Sequence, residues 1–191
     1  MKTGKFVLLL IVAVLCLSLA GCKKTKDAGN HFTYAGKDYA LTNGLLEYYG
    51  AGNGSGYNFD VTLYSSGISY SETDQTLTGT GHILYIEMYS SQTGYLESGS
   101  YTFDSGSNGN SGTYTYGAIG MDVNMQAETG TIKEFTSVNV KIVKSGTTYE
   151  VSFAGKDTEN TAIDAYFKGT FTFADYTAMA LPKEKIYKRI K

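Results

Sequence analysis

Residues 137–153 read SVNVKIVKSGTTYEVSF, and this stretch decides the fold. Val138, Val140 and Ile142 share one parity, and Tyr149, Val151 and Phe153 share another beyond Lys144-Ser145-Gly146-Thr147. Successive side chains on a strand point to opposite faces, so two apolar stripes of period two around a short polar break predict a β-hairpin. Ser145-Gly146 is the expected turn, because glycine accepts the positive φ that tight turns require.

The same alternation extends outward in both directions. Ile163, Ala165, Phe167, Phe171 and Phe173 alternate with Asp164, Tyr166, Lys168, Thr170 and Thr172, and Met121, Val123, Met125 and Ala127 alternate with Asp122, Asn124, Gln126 and Glu128. Tyr57, Phe59, Val61 and Leu63 alternate with Asn58, Asp60 and Thr62. Such runs predict half-buried antiparallel strands, apolar toward a core and polar toward water. Asn43-Gly44 signals a second hairpin between residues 39–42 and 45–49. An aromatic-Thr-aromatic pattern recurs at residues 32–34, 101–103, 114–116 and 171–173, each copy offering two large core side chains. Ala35-Gly36-Lys37-Asp38 returns as Ala154-Gly155-Lys156-Asp157 and reads as repeated turn chemistry. No segment after residue 22 sustains a helical stripe for three turns, although residues 182–191 suit a short terminal helix with Ile186 and Ile190 on one side. The expectation is one all-β domain over residues 32–175, an antiparallel β-sandwich or flattened, lipocalin-like barrel of about nine or ten strands.

The first 22 residues carry a different signal. Lys2 and Lys5 precede an apolar run over residues 6–17, and the small residues Ser18, Ala20 and Gly21 follow, as in an export signal too short to span a bilayer. Leu19-Ala20-Gly21-Cys22 matches the lipobox of bacterial lipoproteins. The match implies removal of residues 1–21, acylation of Cys22 and attachment to a membrane by the lipid. Residues 22–31 then read as a polar tether and residues 176–191 as a basic tail.

Composition narrows the chemistry. The only cysteines are Cys16 and Cys22; the first leaves with the signal and the second carries lipid. No thiol then remains for a disulfide, a metal thiolate or a nucleophile. Residues 38–132 hold ten acids and no lysine or arginine, whereas five of the ten bases after residue 132 crowd into residues 182–191. Nucleic acid is therefore not an expected partner of the acidic segment, since phosphate binding needs clustered bases. The tail could meet anionic headgroups if it folds back to the anchored end. His31 and His82 sit in no triad-like setting, and carboxylate pairs such as Asp60 and Glu87, both on outward parities, could approach across neighbouring strands for acid–base work on a glycosidic bond. The glycine-rich residues 50–56 lead into a strand rather than a helix, which excludes a nucleotide loop. Asp104-Ser105-Gly106-Ser107-Asn108-Gly109-Asn110 matches a calcium loop only in part, with Gly106 at a liganding position and Thr115 where the bidentate Glu belongs. No catalytic residue, metal or cofactor is expected. Tyr64, Tyr85, Tyr89 and Tyr166 fall on outward parities, where an exposed sheet face does not need rings for its core, and are the candidate ligand-binding residues.

With the lipobox ahead of a strand domain containing Gly99-Ser100-Tyr101-Thr102-Phe103 and Val143-Lys144-Ser145-Gly146-Thr147-Thr148-Tyr149, the chain resembles small β-rich lipoproteins of Bacteroides-type bacteria. The resemblance implies an outer-membrane lipoprotein. Surface-exposed members often carry acids after the lipidated cysteine, and Lys23-Lys24-Thr25-Lys26-Asp27 has one, leaving the periplasmic and the outer face both open. The expected function is a non-catalytic binding or accessory module for a glycan or small apolar ligand. The alternative is a structural or adhesion protein that presents loops to a protein partner.

Overall fold

A computed structural model describes residues 29–178, so the expected signal segment, Cys22 and the tail beyond residue 178 lie outside the described residues. Within them the chain is all-β. Thirteen strands run in order: β1 (His31–Tyr34), β2 (Lys37–Ala40), β3 (Asn43–Ala51), β4 (Tyr57–Tyr64), β5 (Ile68–Ser71), β6 (Thr76–Ser90), β7 (Gly99–Phe103), β8 (Thr113–Asn124), β9 (Thr129–Glu134), β10 (Val140–Ser145), β11 (Thr148–Lys156), β12 (Ala162–Thr170) and β13 (Thr172–Asp175). They form one curled sheet, a half-barrel, in the order β13-β3-β4-β6-β8-β7-β10-β11-β12-β1-β2, with β5 on β6 and β9 on β8. The sheet is mixed, since β13 pairs parallel with β3 and β7 parallel with β8. The expected purely antiparallel arrangement of nine or ten strands is corrected accordingly. Two hairpins (β1–β2 and β5–β6) and the short β9 and β13 raise the count, and the parallel pairs come from connections that local turn chemistry does not encode.

The hairpin that anchors the reading is present. Val151 faces Ile142 and Tyr149 faces Lys144, while Ser145 faces Thr148, so the turn is centred on Gly146-Thr147, one residue later than expected. Gly146 has φ +58°, the left-handed conformation that glycine supplies at the first central position of a primed turn. Asn43-Gly44, in contrast, is no hairpin: β2 returns on β1, and Asn43-Gly44 opens β3, where the Phe171 ring occupies the space a Cβ on Gly44 would need. Ala35-Gly36 is a turn, with both residues at positive φ, but Gly155 lies inside β11 with Val138 packed against it.

The concave face holds the main core. Phe32, Phe59, Leu84, Tyr101, Tyr114, Phe135, Val151 and Phe167 are among its fully buried side chains, and they fill the interior of the curl. Rings pack on one another within it, with Phe135 and Phe153 centred 4.7 Å apart and Tyr48 stacked on Phe59 at 4.8 Å. A second cluster lies on the convex side around Leu45, Tyr64, Ile68, Leu77, Ile83 and Val123. Bulges decide which side chain goes where. The register shift between Met121 and Asn124 sends Met121 into the main core and Val123 into the second cluster. The shift between Glu87 and Met88 separates Tyr114, inside, from Tyr116, opposite Glu87 on the outer face. Strict alternation cannot survive a one-residue insertion.

Candidate functional site

Two regions of the half-barrel gather side chains suited to recognition. The first is the outer face of β3, β4, β6 and β8. Register places Glu47 opposite Asp60, Asp60 opposite Glu87 and Glu87 opposite Tyr116, one row across four strands. The next row runs Leu45, Thr62, Tyr85, Ala118 and, on β9, Glu134. The expected proximity of Asp60 and Glu87 is thus found, with Glu47 as a third carboxylate. This polar parity does not face open water as alternation predicts: Asp60 and Thr62 are 0% exposed and Tyr85 1%.

Glu87 accepts from Thr115 Oγ1 at 3.0 Å and from Asn58 Nδ2 and the Tyr89 phenol at 3.4 Å each. The Tyr116 phenol donates to Glu134 at 3.1 Å. Burial, reinforced by the negative charges of Asp60 and Glu87, pushes the Tyr85 phenol far above its ordinary pKa. Burial and the charges of Asp60 and Glu47 do the same to Tyr49. These phenols therefore stay protonated at any physiological pH.

Of the four tyrosines singled out in the sequence, Tyr64 and Tyr85 are buried and Tyr89 is half-buried on this face. The Tyr89 side chain is packed against Gly52, Gly56 and Gly109, whose missing Cβ atoms leave it room. Those glycines belong to the loops at residues 50–56 and 104–112, joined by a hydrogen bond from Gly56 N–H to the Gly109 carbonyl at 3.0 Å. Tyr64 also lines a polar cleft of about 330 Å³ with Asn30, Thr42, Lys168 and Thr170. Tyr166 lies elsewhere, on β12 opposite His31 and Ser152.

Asp104 and His82 make hydrogen bonds within the fold. Asp104 turns both carboxylate oxygens inward on its own loop, accepting from the backbone N–H of Gly106 at 3.0 Å and of Asn108 at 2.9 Å. His82 Nδ1 accepts from the backbone N–H of Asp122 at 3.2 Å, and its ring meets the Tyr39 ring edge-on at 4.9 Å. Among the described residues no three His, Cys, Asp or Glu side chains converge tightly enough to hold a metal ion, the acidic row included.

The second region is a groove of about 310 Å³ that the sequence reading missed. Leu46, Tyr95, Lys144, Tyr149, Phe171 and Phe173 line it. Phe173 is 47% exposed and Tyr95 39%, two of the three exposed large hydrophobic side chains among the described residues. Phe173 lies in register with Leu46 and its ring is 6.5 Å from that of Tyr48, but β13 is the outermost strand of the sheet and leaves the ring exposed; Phe171, between β12 and β13, stays partly buried, stacked on Phe167 at 5.7 Å. Lys144 Nζ sits 5.1 Å from the Tyr95 ring centroid and 5.8 Å from that of Tyr149, held by donating to the Gly146 carbonyl at 2.8 Å. A cation between aromatic faces is stabilised there by the ring quadrupoles. The available signal was the tandem of Phe171 and Phe173 next to a turn lysine, but period two assigns both rings to the core.

Comparison with known protein families, with curated proteins and with solved structures finds no match. The functional argument therefore rests on the chemistry of these two regions.

Proposed function

We propose that this protein is a lipid-anchored, non-catalytic binding module of the bacterial envelope, held to the membrane through Cys22. Its ligand is a sugar ring taken up in the groove between Tyr95 and Phe173. The exposed aromatic walls around a lysine carry this reading. A pyranose presents an apolar face that stacks on such rings, and Lys144 favours a sugar bearing a carboxylate or sulfate. The interior is consistent with this placement, because Phe59, Tyr101, Phe135 and Phe167 pack the concave side, where a lipocalin-like barrel would hold its ligand.

A screen of neutral and acidic oligosaccharides, run beside a lipid panel on the domain from His31 onward, tests the proposal. Binding to acidic sugars that falls at least about tenfold in Tyr95→Ala and Phe173→Ala is the expected result. Silence across both panels refutes it. The filled core and the paired glycine-rich loops at residues 50–56 and 104–112 favour a second reading. On that reading the protein is structural or adhesive and presents those loops to a protein partner.

A further inference from the structure

A second hollow adjoins the aromatic groove. The polar cleft of about 330 Å³ is lined by Asn43 at the start of β3 and by Lys168 and Thr170 at the end of β12. Phe171 belongs to both hollows: it lines the cleft with Thr170 and Thr172, and the groove with Tyr149 and Phe173. Its ring is fixed there, stacked on Phe167, centred 4.9 Å from the Tyr149 ring and lodged against Gly44, where no Cβ intervenes. Register puts the two hollows at the same end of the half-barrel, since Thr148, at the turn next to Lys144, pairs with Thr170.

The hollows differ in chemistry. The groove offers rings and the cation of Lys144. In the cleft the charge of Lys168 is countered by Glu150 at 3.6 Å. The groups left over there are neutral. Asn43 Nδ2 donates to Thr42 Oγ1 at 3.1 Å, but among the described residues neither Asn43 Oδ1 nor the hydroxyls of Thr170 and Thr172 have a hydrogen-bond partner. Such donors and acceptors match the hydroxyls of an uncharged sugar, which also both donate and accept. The rim is braced by Asn30, whose side chain accepts from Lys168 N–H at 2.7 Å and donates to the Lys168 carbonyl at 3.1 Å. The shape of the cleft is thus set before a ligand arrives. Each hollow alone lies at the lower end of the range of about 300–1,000 Å³ for small-molecule sites, and the pair suits a ligand of linked rings.

Resting on the reading of the groove as a sugar site, we propose that the cleft is its second subsite and that the ligand is an acidic oligosaccharide of at least two linked rings. The acidic ring stacks in the groove with its carboxylate or sulfate toward Lys144. A neutral ring lies in the cleft against Asn43, Thr170 and Thr172, with the glycosidic link passing over Phe171.

Titration calorimetry on the full chain carrying Cys22→Ser tests this. It compares glucuronic acid and a sulfated galactose with disaccharides that join each of them to a neutral hexose through different linkages. The best disaccharide should bind at least about tenfold more tightly than its acidic ring alone. Thr170→Val combined with Thr172→Val removes both cleft hydroxyls, keeps β-branched side chains on the strands, and should erase that advantage. Equal affinity for single ring and disaccharide, or an advantage that survives both changes, overturns the second subsite and leaves the groove as a site for one ring. Silence toward every one of these sugars overturns the second subsite and the groove reading together. The comparison between sugars uses the unchanged binding surface, so it decides the question even if the valine changes impair folding.

Discussion

Replacing Asp157 with asparagine should destabilise the domain in a pH-dependent way. The carboxylate organises the turn between β11 and β12: Oδ1 accepts from Thr161 N–H at 2.7 Å and Glu159 N–H at 2.9 Å, and Oδ2 from the Tyr34 phenol at 2.8 Å. Burial pushes its pKa upward, but the bonds from Thr161, Tyr34 and Glu159 outweigh that, and the net result lies below the ordinary carboxylate value. A hydrogen bond to an ionised group contributes about 1.5–3 kcal/mol. Water can replace part of the two amide contacts, since Glu159 is exposed and Thr161 half-buried. The variant should therefore lose about 2–3 kcal/mol rather than the sum, which lowers Tm by about 5–10 °C in a domain of this size.

The sign of the pH dependence follows from the depressed pKa. The stabilisation is fully present above the unfolded-state value of about 3.9 and is lost as pH falls through the lower folded value. Wild type and Asp157→Asn should then differ by a constant amount at pH 6–8 and converge as pH falls below about 4. Tyr34→Phe removes one donor and should cost about 1 kcal/mol, with a coupling energy to Asp157→Asn of at least about 0.5 kcal/mol. Urea unfolding followed by circular dichroism at pH 7, 5 and 3 provides the comparison. Equal midpoints at pH 7, or a gap that persists undiminished at pH 3, would refute the reasoning.

The core makes a second prediction at Gly117, where an added Cβ would enter the Phe135 ring, itself fully buried between Tyr114 and Phe153. Gly117→Ala should cost about 1–3 kcal/mol by overpacking, and Phe135→Leu in the same chain should recover part of it; a neutral Gly117→Ala in denaturant titration contradicts the packing described. At the other end of the chain, Cys22→Ser should abolish labelling by a fatty-acid probe and release the protein from the membrane fraction, because each buried methylene contributes about 0.8 kcal/mol to anchoring. Equal labelling of both chains would remove the lipid from the account.

What could be read from the sequence divides along the range of the interaction concerned. The β10–β11 hairpin is legible because its stripes and its turn lie within a few residues of each other. Asn43-Gly44 carries the same local turn signal, yet Gly44 is there for the ring of Phe171, a contact no local pattern announces. Alternation located the inward sides of β4, β11 and β12 correctly. It failed where a bulge inserts a residue, at Tyr116 and Val123, and where a polar parity is covered, at Asp60 and Thr62. The candidate tyrosines illustrate both outcomes. Tyr64, Tyr85 and Tyr89 do share a face as their parity implied, whereas Tyr166 belongs to a distant strand, and the groove rings Tyr95 and Phe173 were passed over because one stood in a loop and the other in an apparent core stripe.

The pairing of β13 with β3 and of β12 with β1 bears on how this chain acquires its structure. Thr172 must find Leu45, and Tyr166 must find His31, across nearly the whole length of the domain. Joining such distant partners exacts the loop-closure entropy before any contact rewards it, so these seams form late and set the rate, in the millisecond-to-second range typical of non-local β topologies. Until residues 172–175 arrive, one edge of β3 presents unpaired backbone donors and acceptors to any passing strand, a template for misassembly that the last strand of the domain closes.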